Sequence, residues 1–546
     1  MKLKSNQQMA SPLELGIAQS PVITASRHFL NLFVLFYSLI INSQEEIAMK
    51  SRLITALVAT MFIPQFAMAN SLIENVNKVW TFSHASTGVT SEISAFDSIT
   101  NTLWVAGVVG VDVLNATDGS LVQNIDITSF GSINSIAIHN GVAAFAIESS
   151  TVTNPGIVQF YDTTTRSLTA GTNTITVGAL PDMVTFTKDG SKLLVANEGT
   201  PSTYGTRIGS TTPYVFGPAA VDPVGSISII DMNTRTVAAT AGFNGVTQTG
   251  SNIRTNTGMD FEPEYIAVNN EGTKAYVTLQ EANAIGVLDL NTNSFEKIVG
   301  LGAKDFSLPG NQIDPLNNNN ISFMSVNAKG LYMPDGIATY KFDGKDYLVI
   351  ANEGDFRADD GDRITAGSLG ASSPLNNLRV SATDSTPGEL FVTGARSFSI
   401  LDENGNLVFD SGDFLDKKAA ELGIYDDGRS RDKGVEPEGV ELFSVNGRTI
   451  AAIGLERTQD SAVALYDVTD PANASFIDMI VTKGDRAPEG IEAFSVNGSI
   501  YLAVTNETSN TTSLYSVTPV PEPESYAMLL AGLGLIGLNV RRKRRV

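Results

Sequence analysis

The 546-residue sequence contains no cysteine and only three histidines. The first absence removes disulfide staples and thiol chemistry. The second leaves too few imidazoles for a His-built zinc centre. Beyond residue 69 only His84 and His139 remain, each in or beside an expected strand where a structural part suffices. No G-x-S-x-G elbow and no G-x-x-x-x-G-K-[ST] loop occur. The ADDGDR stretch at 358–363 lacks the spacing and closing Glu of an EF-hand loop. Basic charge is scarce too: 36 Lys and Arg stand against 58 Asp and Glu, a net charge of −22. Both ends are basic, so the body between them is more acidic still. Such a body disfavours nucleic acid and anionic lipid as partners and favours cations.

Long apolar runs are confined to the ends. From Met49, Lys50 and Arg52 precede an apolar stretch from Leu53 to Phe66 and then Ala67-Met68-Ala69, a small-x-small cleavage pattern. The expectation is a signal peptide over 49–69, cut after Ala69 by signal peptidase to leave Asn70 first. Residues 1–48 then read as an extension upstream of the true start. At the other end stand Pro521-Glu522-Pro523, an apolar run from Tyr526 to Val540, and the cluster Arg541, Arg542, Lys543, Arg544 and Arg545. Such an order inserts with its basic end cytoplasmic. As a helix the apolar run reaches only about 22 Å against a hydrocarbon core of ~30 Å, which suits a handle held during processing. Residues 519–546 resemble the PEP-CTERM sorting signal of Gram-negative bacteria. That resemblance implies an exosortase as partner, transient retention in the inner membrane by a C-terminal transmembrane helix, and delivery to the cell surface or exterior.

Between these signals a unit recurs: an alternating apolar strand opened by Pro and an acid, a turn, and a second strand ending in Asn-Glu or Glu. It reads ALPDMVTF…KLLVANEG (179–199), FEPEYIAV…KAYVTLQE (261–281), YMPDGIATY…YLVIANEG (332–354), VEPEGVELF…TIAAIGLE (435–456) and APEGIEAF…YLAVTNE (487–507). Degenerate copies at 92–108 and 133–148 make seven. Third strands such as GSISIID (225–231) and AVALYDV (462–468) follow, most with a fourth. The period-2 alternation, with Asp189-Gly190, Asn446-Gly447 and Asn497-Gly498 as hairpin turns, predicts an all-β chain. Four strands in each of seven units describe a seven-bladed β-propeller over 75–518. The last unit stops after three strands, and Val79–Ser83 is expected to supply its missing outer strand.

Strings such as FEPEYIAVNNEGTKAYVTLQEANAIGVLDL (261–290), YLVIANEGDFR (347–357), RDKGVEPEGVELF (431–443) and IGLERTQDSAVALYDVTDP (453–471) resemble the choice-of-anchor I family, over about residues 75–518. The resemblance implies a secreted propeller of YVTN-like repeats with a variable C-terminal anchor. That family in turn is similar to the mesenchyme-specific cell-surface glycoprotein group, and some relatives carry an alkaline-phosphatase label. The sequence departs from it at Arg431-Asp432, where relatives show paired aspartates.

In a propeller blade the start of the first strand and the end of the second share one rim. That rim gathers Asp182, Glu264, Asp335, Glu438 and Glu489 from first strands, and Glu198, Glu281, Glu353, Glu456 and Glu507 from second strands. Long insertions at 198–223, 302–333, 352–395 and 412–436 rise from the same side, where binding groups are usually placed. They add Asp355 and the anion-binding candidates Arg357, Arg363, Arg429 and Arg431. Crowded carboxylates raise one another's pKa unless cations compensate, and hard oxygen ligands favour Ca²⁺. The expected metal ligands are Glu264, Asp335, Glu353, Asp355, Glu438 and Glu489. A structural alternative assigns the same acids to backbone N–H groups between neighbouring repeats. Two readings follow: a monomeric, non-catalytic surface scaffold that binds polysaccharide or a surface protein through ions, or a Ca²⁺-dependent phosphoric-ester hydrolase on the same face.

Overall fold

The computed structural model describes residues 72–521. The extension over 1–48, the leader with Ala67 and Ala69, and the tail from Glu522 onward, with its expected membrane helix, lie outside the described residues. Within them the chain is mostly β-sheet, with one α-helix at Phe414–Glu421. No helix there is long and apolar enough to cross a membrane.

Seven four-stranded sheets follow one another, spanning 94–126, 132–179, 181–242, 266–301, 337–410, 437–482 and 488–519. The second carries an extra short strand, Ser167–Leu168, and the fourth another, Gln248–Ser251. The seventh takes its outermost strand from the opposite end of the chain, because Ile73–Ser83 pairs antiparallel with Thr511–Pro519. This clasp begins well before the expected Val79. Trp80 fastens it by donating its indole N–H to Ala116 O at 3.1 Å.

Tight turns join the first two strands. Asn446 and Gly447 sit at φ 50° and 73°, and Asn497 and Gly498 at 50° and 81°, the paired left-handed residues of a type I′ hairpin. The Asp189-Gly190 connection is longer: only Gly190 is left-handed, and Asp189 Oδ1 instead accepts from Ser191 N at 3.0 Å.

The apolar residues that alternate along each strand meet those of the next sheet. Trp104 and Phe145 pack between sheets one and two, Phe160 and Val195 between two and three, Tyr276 and Ile350 between four and five. Phe398 and Tyr466 join five to six, and Leu103 with Leu514 joins the seventh to the first. First strands also touch in sequence, and the last of them, Pro488–Val496, touches the first, Ser94–Asp97. Insertions 302–333 and 352–395 combine into a further small sheet, Ala303–Asp305, Lys329–Leu331 and Phe391–Val392, over a core of Phe306, Ile313, Val326, Leu378 and Val380.

Candidate functional site

The Pro-acid motif owes its form to a repeated backbone device. Pro181, Pro437 and Pro488 pair with Asn197, Leu455 and Asn506 at the ends of the second strands, and each register then slips by one residue before Val184, Val440 and Ile491. Such a bulge turns a side chain out of the pleat, here the acid after the proline. The preceding residues Leu180, Met333, Glu436 and Ala487 all adopt left-handed φ of 44° to 56°, which costs energy for non-glycine residues. The glycine after the acid permits close approach of neighbouring first strands: a Cβ on Gly439 would sit 2.2 Å from Glu489 O, and Gly490 N donates to Glu92 O at 3.0 Å.

As a result the acids converge. Asp182, Asp335, Glu438 and Glu489 line a single cavity of about 60 Å³, to which every sheet contributes at or beside the start of its first strand, including Ile93, Ser135 and Tyr265. Second-strand ends reach the same level, since Glu198 N, Glu456 N and Glu507 N donate to the carbonyls of Leu180, Glu436 and Ala487. Oxygens of Asp335, Glu353 and Glu438 lie within 4.8 Å of one another, as do those of Glu353, Glu436 and Glu456.

Burial, then the neighbouring acids, pushes these carboxyls up. Asp182 rises to about 7, and Glu198, Glu281 and Glu456 to about 8. Glu264, Asp335, Glu438 and Glu489 are all driven well above the carboxylate range. Glu264 and Glu438 each keep a buried Oε2 without a hydrogen-bond partner.

One internal cation offsets part of this charge. Lys433 Nζ lies 2.9 Å from Glu353 Oε1, 3.0 Å from Glu436 Oε2 and 3.5 Å from Asp355 Oδ1. Burial opposes its charge, but Glu353, Glu436 and Asp355 outweigh that and push it well above its ordinary value. Glu353 Oε2 accepts from Gln280 Nε2 at 2.8 Å, so both its oxygens are engaged.

Three of the four expected anion-binding arginines are already occupied. Arg357, 1% exposed, donates to Thr257 O, Gly205 O and Asp359 and stacks between Tyr204 and Phe216. Arg363 pairs with Asp360 and Asp432, and Arg429 with Glu436. Arg431, half-buried, makes no side-chain contact of this kind. His84 is buried between Asp112, at 2.8 Å, and Thr512, at 2.9 Å, a link between the first and last sheets.

Several acids outside the Pro-acid pattern join the convergence. Glu436 and Glu262 precede the prolines of V-E-P-E and F-E-P-E, and the acid-Pro-acid doublet was the available signal. Glu441 and Glu492, three residues beyond the Pro-acid acids, form a second pair. Burial lifts Glu492 to about 7, and burial followed by Glu492 lifts Glu441 well above its usual range.

The choice-of-anchor I domain matches residues 92–471, and the PEP-CTERM protein-sorting motif matches residues 519–545. No curated protein matches the chain. Among solved structures, a chain of Kuenenia stuttgartiensis hydrazine synthase is similar at 11% identity with a TM-score of 0.45, covering 80% of this chain and 97% of that one.

Proposed function

Since the chain belongs to the choice-of-anchor I family and carries the motif that exosortases process during export to the cell envelope or surface, we propose that it is a seven-bladed β-propeller displayed there as a non-catalytic, ion-dependent binding scaffold. The cyclic contacts of the seven first strands and the clasp of Ile73–Ser83 on Thr511–Pro519 support the propeller. The convergence of Asp335, Glu353 and Glu438 carries the ion dependence: three oxygens from two neighbouring sheets meet, two of them from acids that line the central cavity. Ca²⁺ suits such a donor set, with Asp355 or Glu489 and water completing six to eight oxygens. Its partner is an extracellular polysaccharide or surface protein that shares the bound ion.

Melting curves test the ion. Bound cation stabilises the fold by mass action, by about 2.7 kcal/mol at a hundredfold excess over Kd. Melting temperature therefore rises with Ca²⁺ and falls with chelator, and Glu438→Gln blunts the response at nearly constant shape. An unchanged curve in millimolar Ca²⁺ would assign the acids to structural pairing instead. The alternative, a Ca²⁺-dependent phosphoesterase on the same face, has weaker support because Arg357, Arg363 and Arg429 already spend donors within the protein. Release of product from a generic phosphomonoester would favour it. Export processing has its own readout: intact mass of protein from the cell exterior should begin at or near Asn70 and lack the Arg541–Arg545 cluster.

A further inference from the structure

A different trio of carboxylates has the features of a second site. Asp222 stands near the end of the insertion that follows the strand Lys192–Asn197, while Asp260 and Glu262 belong to the connection entering the strand Ile266–Val268. One oxygen from each lies within 4.8 Å of the other two. Glu262 is only 3% exposed, yet its Oε1 has no hydrogen-bond partner, and neither has the buried Oδ1 of Asp222. Asp260 Oδ2 accepts from Gly225 N at 3.1 Å. Among the described residues no lysine or arginine pairs with any of the three. Around Glu262, burial and then the charges of Glu281, Glu198, Asp260 and Asp222 all act against ionisation, lifting the carboxyl to about 10.

A buried carboxylate without donors is costly unless a proton or a cation meets it. A proton answers for one oxygen. Three carboxylates from two separate connections, each bringing an oxygen within 4.8 Å of the other two, form the all-oxygen donor set that hard cations take, and an ion about 2.4 Å from each oxygen spans this spacing.

We infer that Asp222, Asp260 and Glu262 bind a hard divalent cation of the Ca²⁺ class, which clamps the insertion at 198–225 to the connection entering the fourth sheet. The clamp reaches further than its ligands. That insertion supplies Tyr204 and Phe216, whose rings hold Arg357 of the 352–395 insertion, so one ion fixes the bases of two surface insertions. None of these ligands belongs to the Asp335, Glu353 and Glu438 group, and either site can fail alone.

The test uses protein recovered from the cell exterior, with Ca²⁺ alone as the probe. Calorimetry gives the number of ions bound, and limited proteolysis reports opening of 198–225. At ten times Kd, bound Ca²⁺ should slow cleavage in that segment about tenfold. Glu262→Gln should lose one ion and this protection, whereas a double change of Asp335→Asn with Glu438→Gln should keep the protection while losing its own ion. If Glu262→Gln fails to fold, the partly exposed Asp222→Asn gives the same reading. Ca²⁺-independent cleavage of the unaltered protein, or full stoichiometry and protection in Glu262→Gln, overturns the clamp and leaves the trio held by protons.

Discussion

Lys433 reaches Glu353, 80 residues away in sequence, and there it decides how much of the acidic convergence the protein tolerates by itself. Its side chain is 8% exposed and that of its partner Glu436 is wholly buried. Removing one member of a buried ion pair leaves an uncompensated charge, at about 3–5 kcal/mol. Lys433→Met should therefore lower unfolding free energy by about that amount in chelator, measured by denaturant titration, and Ca²⁺ should restore part of it if a cation takes over beside Glu353. A loss under about 1 kcal/mol would mean that Arg429 and Arg457 satisfy Glu436 without it. The acids after the prolines were legible because they recur at one place in every complete repeat. Their compensation was not legible: Lys433 and Arg429 sit in a mixed-charge insertion whose path no periodicity reports. Nor does periodicity say that Arg357 faces inward to Thr257 and Gly205 rather than outward to an anion.

Among the elements, the clasp strand carries the clearest consequence. Without Ile73–Ser83, the strand Thr511–Pro519 becomes an unpaired edge, with backbone groups and apolar surface exposed. Ile73 and Tyr515 would lose part of a shared buried cluster, and Trp80 would leave Ala116 O unpaired. Deleting Val79–Ser83 should lower the melting temperature by several degrees more than deleting residues 317–321, which are exposed. That choice of control matters. Much of the 302–333 insertion is no inert loop, since Phe306, Ile313 and Val326 belong to a core of their own. Equal losses for the two deletions would mean that the seventh sheet holds without the Val79–Ser83 half of its outer strand. Strand alternation and Asn-Gly turns made the seven sheets and even the borrowed strand readable from sequence. The mutual packing of two insertions was not, because their apolar residues are irregularly spaced and meet only across separate stretches of chain.

For the whole molecule, the acid convergence sets how stability varies with pH. Glu92, Asp182 and Glu492 are raised to about 7 and Glu198, Glu281 and Glu456 to about 8, in each case first by burial. A carboxyl whose pKa is higher folded than unfolded binds more protons in the native state between those two values, so unfolding free energy falls as pH rises. The stabilising contribution is complete below about 4.5, the ordinary glutamate range, and is lost as pH passes 7 to 8. In chelator, the melting temperature should therefore decline steadily from pH 5 to pH 8, opposite to a protein whose carboxylates are held by donors. A bound cation replaces the protons and favours the ionised acids, so saturating Ca²⁺ should flatten the decline and stabilise most at the alkaline end. Melting curves across that range, with and without Ca²⁺, separate three cases. A slope that Ca²⁺ removes supports a cation-organised face. A slope that Ca²⁺ leaves untouched means that protons alone hold the acids together. No slope at all would mean that Lys433 and the paired arginines already balance the charge, and the ion-dependent scaffold would lose its physical basis.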